Sequence, residues 1–366
     1  MPSLKALRPG GHHSPSKRPL RILNGPKYLD ARRTRFELGG WLPTHVLHRW
    51  HARTSGPRGR GAVDLYSDAT IALLLAIKVA YGLSYSGVLG LVRDHFRTRG
   101  VTLPLPDEST LCRRAQRLGA TTGRPCLGGL LWTLPRRRGV RGVVIDSTGL
   151  AVRGPGTWRS LRPHGREEDV GRRREWLKLH LAVDPESGEI LAYALTPQKT
   201  DDGRVGVALL RALHAAGYRL RTLAADGAYD TKGVYAAAVE SGISRVLVPP
   251  KHGAGVWAET GPEAVAGAAI RNAHWAVITL GAGTDEGRRA AWKRDQGYGI
   301  RSLVETAMCR SAVRSGNRCR MRSALGRQAE VTALITVLNR HARLGMPVRY
   351  QRAWADTWPA LPAVAA

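Results

Sequence analysis

The chain has 366 residues and a hydrophobic content of 43%, enough for about two domains with cores of their own and too much for a disordered protein. Lys and Arg number 57 against 28 Asp and Glu, a net charge of +29 with a pI near 11.2. Such a balance calls for a polyanionic partner, nucleic acid above all, because neutralising phosphates releases counterions.

A membrane protein is not expected, since the longest apolar run, residues 71–77, is too short to span a bilayer and is followed by Lys78. The N-terminus lacks the apolar core of a signal peptide, and the four cysteines (Cys112, Cys126, Cys309, Cys319) show neither a C-x-x-C pair nor zinc spacing. They read as reduced thiols of a cytoplasmic protein.

Residues 1–22, rich in Pro, Gly, Ser, His and basic side chains, have the composition of a disordered leader, and 1–61 reads as a basic, partly disordered N-terminal region. A helical unit follows over 62–120. Ser67 or Asp68 caps an apolar helix through Ile71, Leu74, Leu75 and Val79 that stops at Gly82, and Ser84 opens a second. After Pro104 and Pro106, Asp107 starts a third helix bearing Arg113, Arg114 and Arg117. Three short helices with a basic third one suit a helix-turn-helix, with those arginines on DNA in the major groove. A plain helical bundle with a solvated basic face is the alternative. Residues 121–140, punctuated by Gly and Pro, form a linker that includes Arg136, Arg137 and Arg138.

From 141 the period changes from helical to strand-like. A short apolar strand ends in Asp146; Leu177, Leu179, Leu181 and Val183 alternate along a second; residues 190–195 return as a third after a turn at 184–188. Residues 205–216 are helical, 223–226 a strand, 234–239 a helix and 246–248 a strand stopped by Pro249 and Pro250. A segment without clear structure comes next, then further helices. Residues 348–366 form a C-terminal tail.

Three carboxylates stand out. Asp146 ends the run Val143, Val144, Ile145; Asp226 ends Leu223, Ala224, Ala225; Glu305 lies at a similar interval further on, in a helical pattern. Two-metal phosphoryl chemistry needs about three such acids, because two ions roughly 4 Å apart must be held by hard oxygen ligands. Each acid also has a local explanation: Asp146 in an Asx-turn with Thr148, Asp226 starting a turn at Gly227, Glu305 closing a capping box with Ser302. Tyr298, Arg301, Glu305 and position 312 fall on one helical stripe, provided the helix begins before Gly299. Around the first hairpin lie Arg159, Arg162, His164, Arg166, Arg172, Arg173 and Arg174, and Lys178 and His180 share one face of its strand. As a set they suit phosphate contacts that carry no sequence information.

The stretches IDSTGL (145–150), WLKLHLAVD (176–184), DGAYDT (226–231) and YGIRSLVETAM (298–308) resemble bacterial insertion-sequence DDE transposases, closest to the insertion-sequence-five family, over about residues 66–347. The resemblance implies a ribonuclease H-like mixed-sheet catalytic domain over 141–347, preceded by a small all-α, helix-turn-helix-like DNA-binding domain. It implies that Asp146, Asp226 and Glu305 are the catalytic, metal-binding triad, holding two Mg²⁺ ions with Mn²⁺ as a substitute, and that Tyr298 and Arg301 act at the DNA. The family signature Y-x2-R-x3-E-x6-K is met at Tyr298, Arg301 and Glu305, but its lysine position holds Ala312. Family lysines there contact the transposon end; a methyl group cannot, which leaves Arg310 or Arg314 to reach round.

The function to expect is therefore a transposase that binds the terminal inverted repeats of an insertion sequence, cleaves them, and joins the freed 3′-hydroxyl to target DNA. Its partners would be double-stranded DNA and a second copy in a homodimer or larger synaptic complex, in the cytoplasm at the nucleoid. Two alternatives are a catalytically impaired transposase-derived DNA-binding protein and a ribonuclease H-like nuclease without strand transfer.

Overall fold

The computed structural model describes residues 22–52, 65–120, 126–127, 139–152 and 176–347. Its sheet is built from the alternating segments. Strands β2 (Gly142–Val152), β3 (Trp176–Val183) and β4 (Ile190–Pro197) form an antiparallel meander. At the β3–β4 turn the Asp184 carboxylate accepts from the Glu186 and Ser187 backbone amides, and Gly188 adopts φ +70°. On the other side of β2, β5 (Thr222–Ala224) and β6 (Arg245–Leu247) pair in parallel, and two-residue strands β1 (Cys126–Leu127) and β7 (Arg318–Cys319) pair with β4 and β2. The resulting order is β1-β4-β3-β2-β5-β6. This mixed sheet is consistent with a ribonuclease H-like domain.

Side chains of β2 alternate between two cores. Val143 and Ile145 face α7 (Asp202–Ala215) and α8 (Lys232–Glu240), packing with Leu209, Leu213, Tyr235 and Val246. Val144 faces the opposite side, where α11 (Ser302–Ser315) and α12 (Ala324–Leu344) contribute Val304, Leu334, Ile335 and Leu338. Between β6 and α11 the chain inserts two helices, α9 (Ala268–Leu280) and α10 (Asp285–Asp295).

The expected helical unit forms with the expected caps. In α4 (Asp68–Tyr81) Ser67 accepts from the Thr70 amide and Gly82 closes the helix in the left-handed region; Ser84 caps α5 (Tyr85–Thr98) through Gly87, and Asp107 caps α6 (Glu108–Ala120) through Thr110. The unit has its own hydrophobic core, distinct from the two cores of the sheet, and one helix from outside it closes that core. Ala329, Ala333 and Val337 on one side of α12 complete it, packed with Ile71, Leu74, Leu111 and Ala115, while the other side of α12 serves the sheet. The approach of α6 to α12 is so close that a Cβ at Gly119 would stand 2.0 Å from the Leu325 carbonyl oxygen. The helical unit is thus packed against α12, which it shares with the sheet domain.

Residues 25–47 hold three short helices, α1 (Gly25–Thr34), α2 (Leu38–Trp41) and α3 (Thr44–Leu47), and bury Trp41 and Trp50 in the same helical core. Most of the leader (1–21), the 53–64 segment, most of the linker, and the tail from 348 lie outside the described residues. Among the described residues no single helix is long and apolar enough to cross a membrane; α4 and α5 would suffice only together, and they are bent by 104° and largely buried in the helical core. Cys112, Cys309 and Cys319 are free thiols.

Candidate active site

Register brings the first two acids together. Val144 of β2 pairs with Ala224 of β5, so Asp146 and Asp226 each follow by two positions. Asp226 lies just past the end of β5, whereas Asp146 sits in mid-strand, because β2 continues to Val152 in pairing with β3 and does not end at Asp146 as expected. Asp146 Oδ1 accepts from the Ser147 amide at 2.8 Å, and Asp226 Oδ1 accepts from Ala228 at 2.9 Å, capping a 3₁₀ turn at Gly227–Tyr229. The turn-forming explanation of Asp226 is therefore correct locally, and its carboxylate still lines a cleft.

Glu305 reaches that cleft from α11. A 3₁₀ turn, Tyr298–Arg301, runs directly into α11, which puts Tyr298, Arg301 and Glu305 on one continuous stripe. The Ser302–Glu305 capping box does not form: Ser302 Oγ donates to the Gly299 carbonyl at 2.8 Å, and Glu305 instead accepts from Arg301 Nη1. Arg301 Nη2 also lies 3.6 Å from Asp146 Oδ2. The open cleft here has a volume of about 440 Å³ and is lined by Asp226, Tyr298, Arg301, Glu305, Lys293 and Pro249, among others.

Asp146 is half-buried, with a side chain 13% exposed. Burial raises its pKa; the Ser147 amide and Arg301 oppose that, and the charges of Asp226 and Glu305 add to it. The three acids thus feel one another across the cleft. Among the described residues, however, no three His, Cys, Asp or Glu side chains come close enough together to hold an ion. Oxygen donors of this kind suit a hard divalent cation, but the guanidinium of Arg301 stands between Asp146 and Glu305. Closing three carboxylates around an ion requires Arg301 to move aside.

Several residues expected at a DNA surface point inward. Tyr298 is 9% exposed; its hydroxyl donates to the Ala225 carbonyl at 3.0 Å and its ring packs on Trp292, so it supports the strand end that carries Asp226. Arg114 is 6% exposed and donates to the Tyr66 carbonyl and to Asp68 Oδ1, locking α6 to the start of α4. His180 is fully buried, with Nε2 2.9 Å from Thr196 Oγ1 and Nδ1 3.4 Å from Asp202. Burial drives its pKa down to about 4, so the imidazole is neutral beside that carboxylate. Lys178 donates to both Asp202 oxygens at 3.2 Å and to the Thr200 carbonyl, and is tied to α7. Of the α6 arginines, Arg113 and Arg117 are the exposed pair. Arg172, Arg173 and Arg174, with Arg159, Arg162, His164 and Arg166, lie outside the described residues.

Neither candidate replacement for the lysine missing at Ala312 faces the cleft. Arg310 donates to the Gly188 carbonyl at 2.7 Å, and burial lowers its pKa to about 10. Arg314 donates to the Ala80 carbonyl and stacks over Phe36. Sequence reasoning missed the buried pair Asp230–Arg271, in which Arg271 Nε lies 3.2 Å from Asp230 Oδ1 while Asp230 Oδ2 accepts from the Lys251 amide. That clip fixes the loop after β6 against the turn that follows Asp226. Its one sequence signal was the second aspartate of DGAYD.

Residues 137–340, more than half of the chain, match the family described as the transposase DDE domain, and residues 33–155 match a second family of the same description. The chain belongs to the DDE transposases. Transposases act on DNA, and DDE transposase domains generally use divalent metal ions. The second match begins in α1 and ends beyond β2, so the helical unit belongs to the family likeness as much as the sheet does.

Proposed function

We propose that this transposase is that of an insertion sequence of the insertion-sequence-five group, binding the terminal inverted repeats, cleaving DNA at the element's ends and transferring the 3′-hydroxyl to target DNA. Asp146, Asp226 and Glu305 would hold two Mg²⁺ ions, with Mn²⁺ as a substitute. The observation that carries this reading is the register of β2 against β5, which sets Asp146 and Asp226 side by side beneath the cleft that Glu305 lines.

When bound, the ions supply an activated oxygen nucleophile and charge neutralisation at the phosphodiester. The rest of the work falls to the chain. Tyr298 holds the Ala225 carbonyl and with it the strand end leading to Asp226. Arg301 orients Asp146 and Glu305 before substrate arrives, and its charge opposes the burial that raises the Asp146 pKa. Arg113 and Arg117 are the exposed cations through which α6 would meet duplex DNA, and Arg172, Arg173 and Arg174 would add contacts to the phosphate backbone. Pairing two element ends calls for a homodimer or larger assembly on DNA.

The test is strand transfer from a pre-cleaved duplex bearing the element's terminal repeat into a supercoiled plasmid with Mg²⁺. Joined product that vanishes in both Asp146→Ala and Glu305→Ala is the expected result. A protein that binds the repeat but neither cuts nor joins, with Mn²⁺ giving no rescue, would instead be a catalytically impaired descendant, which Ala312 favours. Cutting without joining would mark a nuclease.

A further inference from the structure

We propose that a groove leading from the acid cleft over Lys293 to Lys251 and His252 is a phosphate track for one nucleic-acid strand. This deepens the transposase reading and rests on it.

The acid cleft does not end at Glu305. A second cleft of about 300 Å³ adjoins it, and the two share Gly227, Pro249 and Lys293. The first holds two cations. Arg301 is committed to Asp146 and Glu305, whereas Lys293, exposed on α10, has no hydrogen-bond or ion-pair partner among the described residues. In the second cleft Lys251 and His252 are exposed, while Arg289 is held by Asp285 and the Pro250 carbonyl and serves as scaffold. His252 shares that Asp285 through Nδ1 at 3.3 Å.

The track is anchored at both of its walls. Trp292, next to Lys293, is buried and donates Nε1 to His274 Nδ1 at 3.0 Å. The Lys251 amide donates to Asp230, which is clamped by Arg271. Lysine ammoniums set on rigid walls, over a floor of Pro249, Pro250 and Gly227, suit phosphates that pass in single file. Clefts of a few hundred Å³ take the nucleotides of one strand and not a duplex about 20 Å across. The charge also fits, since Lys293 lines both clefts and sets a cation beside the one that holds the carboxylates.

The experiment is fluorescence anisotropy with the full chain in EDTA. Two labelled probes of arbitrary sequence are compared: a blunt duplex of about 20 base pairs and the same duplex with an overhang of about ten nucleotides. Lys293→Ala should weaken overhang binding about three- to tenfold and lower the slope of log affinity against log salt by about 0.7. Lys251→Ala should act in the same direction, Lys293→Arg should restore binding, and blunt-duplex affinity should hold. Because Lys293 is exposed, an unchanged melting temperature checks that the fold is intact. Wild-type affinity and slope in both alanine variants would overturn the track and leave the transposase reading standing. Equal losses on both probes would make these residues duplex contacts and overturn it as well. Failure of the unaltered protein to bind either probe would overturn the DNA-processing reading itself.

Discussion

The guanidinium of Arg301 lies 3.6 Å from the Asp146 carboxylate and donates to Glu305, four residues further along its own stripe. One side chain therefore satisfies two acids from different elements, a strand and a helix. An incoming cation has to compete with it. Arg301→Gln should accordingly tighten divalent-ion binding to the DNA-free protein by about tenfold, or about 1.4 kcal/mol, a figure scaled down from Coulomb interaction at an effective dielectric near 20 because Glu305 is exposed. Calorimetric titration with Ca²⁺ reads this directly. Unchanged or weaker affinity would mean that Arg301 orients the acids without excluding the ion.

Tyr298 connects the start of α11 to β5 through its hydrogen bond to the Ala225 carbonyl. Tyr298→Phe leaves that buried carbonyl without its donor and should cost about 1 kcal/mol in urea denaturation. Because Asp226 is the next residue, strand cleavage should fall more than DNA affinity does. A larger loss in binding than in cleavage would restore Tyr298 to the DNA surface.

Asp230 and Arg271 have side chains 2% and 0% exposed. Removing one partner strands a buried charge, so Asp230→Ala should destabilise the fold by about 3–5 kcal/mol, whereas Asp230→Ala combined with Arg271→Met should recover part of it. Chemical denaturation of the two single variants and the double variant measures the coupling. Additive losses would show that the pair is not a unit.

Two buried histidines make stability depend on pH. Burial, reinforced by Arg35, Arg314, Arg310 and Arg340, pushes His341 down to about 3, and burial pushes His180 to about 4. Both folded values lie below the unfolded value of about 6.5, so the folded state binds fewer protons. Their contribution is complete above about pH 6.5 and is lost as pH falls towards about 4, at about 1.4 kcal/mol per pH unit for each histidine. Melting temperatures across that window should fall with acidity, and His341→Leu should flatten the slope. The same slope in the variant would remove His341 from this role.

Local signals were legible in the chain. Ser67, Ser84 and Asp107 cap the helices they were expected to cap, because a cap needs only the amides two or three residues ahead. Apolar strand patterns located β2, β3, β4, β5 and β6, although β2 runs past Asp146 to Val152 because β3 pairs along it, which leaves Asp146 in mid-strand. Tertiary structure decided what covers each face. Arg114, His180 and Tyr298 were read as outward-facing because periodicity tells which residues share a face, and nothing in it names the neighbour packed there. The two-sided role of α12 and the position of Arg301 between Asp146 and Glu305 join residues far apart in the chain. Those contacts depend on how whole elements dock, which is set by the summed burial of many side chains and not by any one short segment.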